Sequence, residues 1–113
     1  MNIEQISAIT LKVKDMNRSL QFYHDVLRLD IKYQSPAFST LMKKGTVLNL
    51  EKGNPENHWG RIIFYVEDVD KLWEYLKVKR IKLGEAPKDA SWNERYFHIN
   101  DPDGHEISFA KKS

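Results

Sequence analysis

Cysteine is absent from this chain, which removes disulfides, thiolate metal ligands and thiol nucleophiles together. Charge of one sign is also missing. The 18 Lys and Arg face 16 Asp and Glu, giving a formal net charge of +2, whereas nucleic-acid and membrane partners call for a concentrated basic field. No apolar run approaches the roughly 18 residues of a membrane-crossing helix. The opening Met1-Asn2-Ile3-Glu4-Gln5 carries an acid and no long apolar segment, unlike a secretory signal. These absences imply a soluble protein, expected in the cytoplasm, with no nucleic-acid or membrane partner. The 113 residues suit one compact domain, held together by its core alone.

What is present is an ordered pattern that occurs twice. From Ile6 to Lys14, Ile9, Leu11 and Val13 alternate with Ala8, Thr10 and Lys12, the period of a strand with one buried face. Asp15 or Asn17 can cap the helix that follows, where Leu20, Tyr23 and Leu27 recur at helical spacing. Strand-like segments follow at Ile31–Tyr33, Phe38–Met42 and Thr46–Glu51, the last two joined across Lys43-Lys44-Gly45. Gly53–Asn57, with Pro55 inside it, reads as a connecting loop. In the second half, Arg61–Val66 alternates and Asp68 caps a helix with a stripe of Val69, Leu72, Trp73 and Leu76. A weak strand is predicted at Ile81–Leu83 and a loop over Glu85–Asn93. Glu94–Asn100 and His105–Ala110 then form a hairpin around Asp101-Pro102-Asp103-Gly104, where Pro102 and Gly104 suit a tight turn. Asp15 and Asp68 stand 53 positions apart, as do Leu20 and Trp73. The chain reads as an α+β fold of two βαβββ modules, about 1–53 and 58–113, forming a curved mixed sheet with an open cleft.

The two faces of the predicted strands differ. One carries Ile9, Leu11, Val13, Leu48, Leu50, Ile62, Phe64, Val66, Phe97, Ile99, Ile107 and Phe109, as expected beneath the helices. The other carries Thr10, Lys12, Asn49, Glu51, Arg61, Tyr65, Tyr96, His98, Glu106 and Ser108. Burying that set unpaired would be costly. Polar groups among aromatics suit either solvent or a concave ligand site. Arg61 can bind a carboxylate or phosphate through its fork, or pair internally with Glu106 or Glu51.

Asp15 through Leu29 (Asp-Met-Asn-Arg-Ser-Leu-Gln-Phe-Tyr-His-Asp-Val-Leu-Arg-Leu) resembles the first-helix signature of the vicinal oxygen chelate superfamily, the glyoxalase, bleomycin-resistance and extradiol-dioxygenase proteins. Phe97 through Ile107, with Asp101-Pro102-Asp103-Gly104 at its centre, resembles the last hairpin of that family, and Val66-Glu67-Asp68 its middle. The resemblance implies paired modules that usually dimerise, so that both chains complete each site. It also implies metal ligands on the first and last strands of each module, here Ala8, Asn49, Arg61 and Ser108. None is a His or a carboxylate, so no metal and no cofactor is expected.

The leading expectation is therefore a homodimer that binds a small anionic or aromatic molecule without metal. Arg61, Asn49, Trp59, Trp92, Tyr96, His98, Glu106, Ser108 and Phe38 are its candidate ligand contacts. Phe38 can equally be core, and Trp59 and Trp92 can equally fill a subunit interface. Arg61 and Lys12 argue for a neutral or anionic compound. His98 and Glu106, on adjacent segments of one hairpin, are candidate catalytic groups as base and orienting acid. The alternatives are a glyoxalase-type lyase or isomerase with a non-standard site and a protein-interaction module.

Overall fold

A computed structural model describes residues 6–112; the expectation drawn from Met1–Gln5 lies outside them. The chain divides into two compact units, Met1–Trp59 and Gly60–Ser113. In the first, strand β1 (Ala8–Val13) leads into helix α1 (Met16–Leu20), which continues as a π-helical turn over Gln21–Val26. Strands β2 (Asp30–Gln34), β3 (Phe38–Met42) and β4 (Val47–Lys52) follow. The second unit repeats the order with β5 (Arg61–Tyr65), helix α2 (Val69–Val78), β6 (Lys88–Asp89), β7 (Glu94–Asn100) and β8 (Glu106–Lys112).

The strand-to-helix junctions are built alike. The Asp15 carboxylate accepts from the Arg18 amide at 3.1 Å and the Asp68 carboxylate from the Lys71 amide at 3.0 Å. Each aspartate thus satisfies an amide that the first helical turn leaves without a partner. Sheet topology repeats as well: β1-β4-β3-β2 in one unit and β5-β8-β7-β6 in the other. Each first strand runs parallel to the last strand of its own module, and the remaining ladders are antiparallel. This corrects the expectation of one curved mixed sheet. Because the first strand of each module pairs with the last strand of the same module, each unit forms a four-stranded sheet of its own.

The apolar faces form the core as expected. Leu11, Val13, Leu48 and Leu50 are buried in the first unit, and Phe97, Ile99, Ile107 and Phe109 in the second. In the second unit the rings run on continuously, with Phe64 stacked on Phe109 at 5.8 Å and Trp73 edge-on to Phe97 at 5.2 Å beneath α2. Ile9, at 40% exposure, departs from this pattern; among the described residues β1 stands at the end of the strand order β1-β4-β3-β2.

Three local predictions are overturned. The first helix does not keep α-helical spacing, since the Leu27 amide bonds back to the Phe22 carbonyl at 3.0 Å. The wider π turn brings Phe22 and Tyr23 together into the core, their rings edge-on at 4.9 Å, and leaves Leu27 half-buried. Ile81–Leu83 is not a strand. The ladder partner of β7 is instead Lys88–Asp89, inside the predicted loop, with Lys88 opposite Tyr96 and Asp89 opposite Arg95.

Candidate functional site

The polar face of the second sheet is laid out by its register. Arg61 on β5 stands opposite Glu106 on β8, which faces Asn100 on β7. One step along, Ile63, Ser108 and His98 form the next row, and Tyr65, Ala110 and Tyr96 the third. Rows on one face repeat about every 7 Å along a strand, and β5 and β7 lie about 10 Å apart across β8.

The middle strand contributes small, buried side chains, Ser108 at 5% and Ala110 at 3% exposure. Its neighbours rise above it, with Ile63 at 60% and Tyr65 at 64% on β5 and Tyr96 and His98 on β7. The result is a trough along β8, floored by Ser108 and Ala110. At one end Arg61 and Glu106 form an ion pair across the parallel ladder. At the other, the Tyr65 hydroxyl reaches over β8 and donates to the Glu94 carboxylate at 2.9 Å. The Trp92 indole donates to the second Glu94 oxygen, also at 2.9 Å.

The β7 wall is a row of rings: Trp92 stacks on Tyr96 at 5.7 Å, and Tyr96 lies 5.1 Å from His98. The His98 Nδ1 is 2.7 Å from the Ser108 hydroxyl, which fixes the imidazole plane. Beyond this wall a cavity of about 270 Å3 is lined by Glu85, Ala86, Tyr96 and His98 among others. A larger cavity of about 630 Å3 in the first unit, between Lys14–Asn17 and Gln34–Pro36, holds none of the predicted site residues.

Two further residues, Gly60 and Arg95, hold this face in place. Gly60, just before β5, donates its amide to the buried His105 Nδ1 at 2.8 Å and accepts from the Glu106 amide at 3.0 Å. The two backbone groups of Gly60 are thereby tied to His105 and to Glu106 at the start of β8, which brings Arg61 level with Glu106. On the opposite side of β7, Arg95 grips the Asp70 carboxylate of α2 with two bonds of 2.9 Å and reaches Asp89 of β6 at 3.3 Å. Those bonds hold the Asp70 carboxyl below the usual carboxylate range, hydrogen bonding from Arg95 being the main cause. The hydrogen bond to Glu94, followed by desolvation and the nearby charge, pushes the Tyr65 hydroxyl above its ordinary range.

Six of the nine predicted ligand contacts therefore share one face: Arg61, Trp92, Tyr96, His98, Glu106 and Ser108. Asn49 and Phe38 belong to the sheet of the first unit. The Asn49 side chain accepts from Thr40 at 2.8 Å and donates to Thr10 at 3.5 Å, and Phe38 stands opposite Glu51. Trp59 lies in the segment before β5 and is 57% exposed. The candidate pair His98 and Glu106 is split: His98 bonds Ser108, whereas Glu106 pairs with Arg61. The sequence places Tyr65 on the polar face without assigning it a contact, and does not predict Glu94 there at all. Their signal was parity, since Tyr65 is four residues from Arg61 and Glu94 is two from Tyr96.

The sequence profile of the glyoxalase/bleomycin resistance protein/dioxygenase superfamily matches residues 5–109. The chain belongs to that superfamily. A metallothiol transferase, FosB, from Staphylococcus epidermidis is 30% identical over 95% of this chain and 81% of its own length. A bleomycin resistance protein from Geobacillus stearothermophilus is 27% identical over 88% of this chain and 90% of its own. The crystal structure of lactoylglutathione lyase from Agrobacterium tumefaciens superposes with a TM-score of 0.83 at 18% identity, covering 97% of this chain and 95% of the other. That likeness shows the fold.

The positions that the family resemblance assigns to metal ligands do not suit a metal here. Ala8 has no side-chain donor, the Asn49 amide is bonded to two threonines, and the Arg61 cation is paired with Glu106. Ser108 is a neutral hydroxyl engaged by His98. Among the described residues, no three His, Asp or Glu side chains cluster as a metal site.

Proposed function

We propose that this superfamily member binds a small planar aromatic molecule in the β8 trough without a metal ion, as a homodimer in which modules of both copies contribute to each site. The observation that carries this reading is the ring row Trp92–Tyr96–His98 beside a floor of small buried residues. Flat rings gain stacking and shed water against such a wall, and the few polar groups at the ends of the trough can orient them.

A second reading, a lyase or isomerase of the glyoxalase type, draws on the 2.7 Å contact between His98 and Ser108. A hydroxyl so placed fixes the ring whose other nitrogen would act as base. Turnover of a hydroxythioester or 2-oxoaldehyde adduct that His98→Ala abolishes would establish it.

The binding reading is tested by ligand-observed NMR with an aromatic fragment library on the full chain, alongside metal analysis of protein purified without chelator. Fragments are expected to bind and to perturb the Trp92 indole, and Trp92→Ala is expected to weaken them about tenfold, the scale of one stacking contact. Failure of every fragment would overturn aromatic binding, and a stoichiometric transition metal would overturn its metal-free form.

A further inference from the structure

The charges on this face point to the kind of head group its ligand carries. Arg61 is the cation expected to attract an anion, but Glu106 already holds it across the ladder. Lys88, over the Tyr96 ring at 5.8 Å, is bonded to Glu85 at 3.0 Å. At the far end of the trough the Glu94 carboxylate accepts from Tyr65 and Trp92. An anion entering the trough at its Arg61 end would compete with Glu106 for the guanidinium. The adjoining Glu106 charge offsets the attraction of Arg61 for an anion, so an unpaired arginine fork is not what this site offers.

An ion pair does offer a neutral ligand something else. The guanidinium supplies N–H donors and the carboxylate an acceptor, side by side on neighbouring strands about 4.8 Å apart. A carboxamide or lactam edge matches that arrangement, its carbonyl accepting from Arg61 and its N–H donating to Glu106, with the ion pair left intact. The ring attached to such an edge would lie over Ser108 and Ala110, between Ile63 and the Tyr96–His98 wall.

We infer that the trough selects an uncharged planar ligand bearing adjacent hydrogen-bond donor and acceptor groups, of the aromatic carboxamide or lactam class, and that Glu106 sets this choice by neutralising Arg61. The inference rests on the reading of this face as a small-molecule site.

Isothermal titration of the full chain at pH 8 with 2-naphthamide, 2-naphthoate and 2-naphthylmethylammonium separates the possibilities, since the three share a ring and differ in head-group charge. The amide is expected to bind about tenfold more tightly than either ion, with little dependence on salt. In Glu106→Gln, which keeps the shape of the side chain and removes its charge, naphthoate is expected to gain about tenfold and to weaken as salt is raised. Circular dichroism and thermal melting confirm that this variant folds. Tightest binding of either ion by the unaltered protein, or an unchanged preference in Glu106→Gln, would overturn the inference while leaving aromatic binding intact. Absence of binding by all three, with no perturbation of Trp92, would overturn both.

Discussion

Glu94 illustrates how much one side chain can decide. Its two oxygens receive the Tyr65 hydroxyl and the Trp92 indole at 2.9 Å each, so it ties β5 and the segment before β7 across the end of the trough. The same contact alters the tyrosine. Ionised Tyr65 would face a carboxylate that can no longer accept from it, and its pKa is accordingly raised. A raised pKa means that this bond contributes stability below the ordinary tyrosine value of about 10 and loses it as pH rises through the higher folded value. In an ultraviolet difference titration of the wild type against Tyr65→Phe, the lost tyrosine is expected to be one that ionises late. Glu94→Gln is expected to move that ionisation toward the ordinary range, and an unchanged titration curve would refute the pairing. Arg61 shows the same rule with the opposite consequence. A residue that looks like an anion receptor in the sequence becomes half of a neutral pair once its cross-strand neighbour is known.

At the scale of elements, the paired strand–helix junctions and the last hairpin explain why the sequence was informative where it was. Asp15 and Asp68 act on amides three residues away, and the Asp101 carbonyl and Gly104 amide close their turn at 3.0 Å with Gly104 at φ +94°. Such local chemistry is written in neighbouring residues. Strand parity also held over β7 and β8, which is why six predicted contacts share a face. What was not legible depends on distant partners. The π turn at Gln21–Val26 trades α spacing for burial of Phe22 and Tyr23, and β6 exists because Lys88 and Asp89 meet Tyr96 and Arg95 across a ladder; neither segment has strong propensity of its own. His105 is another case, since its sequence position marks only a turn. Its ring is fully buried and accepts the Gly60 amide, fixing where β5 begins. His105→Ala leaves that amide without its acceptor and opens a cavity, so a loss of about 1–3 kcal/mol is expected in urea unfolding. His105→Asn, whose side-chain oxygen can take the place of Nδ1, is expected to recover part of it. A loss in His105→Ala below about 0.5 kcal/mol, the range of a neutral surface change, would remove the tether from this account.

At the scale of the whole molecule, an absence of cysteine and of long apolar runs implied a core that must suffice alone, and the two units show how small each share of it is. Each folds one four-stranded sheet. In the second unit the polar face retains three large exposed side chains, Ile63 at 60%, Tyr65 at 64% and Trp92 at 62%. Binding pockets cover most of a ligand's surface, and a trough open along its top covers only the side that lies on the sheet. Exposed aromatic and aliphatic side chains rimmed by polar ones are also typical of a surface that meets a partner. A second copy of the chain answers both requirements at once. Sedimentation equilibrium at tens of micromolar is therefore expected to give twice the 13.3 kDa chain mass. Ile63→Glu places a charge among those apolar side chains while keeping Arg61, Glu106, His98 and Ser108 themselves unaltered. It is expected to shift the equilibrium toward monomer by at least about tenfold, the cost of burying an unpaired carboxylate being several times RT. Wild-type protein that stays monomeric at those concentrations would refute the dimer, and the aromatic trough would then have to bind its ligand with one side open to water.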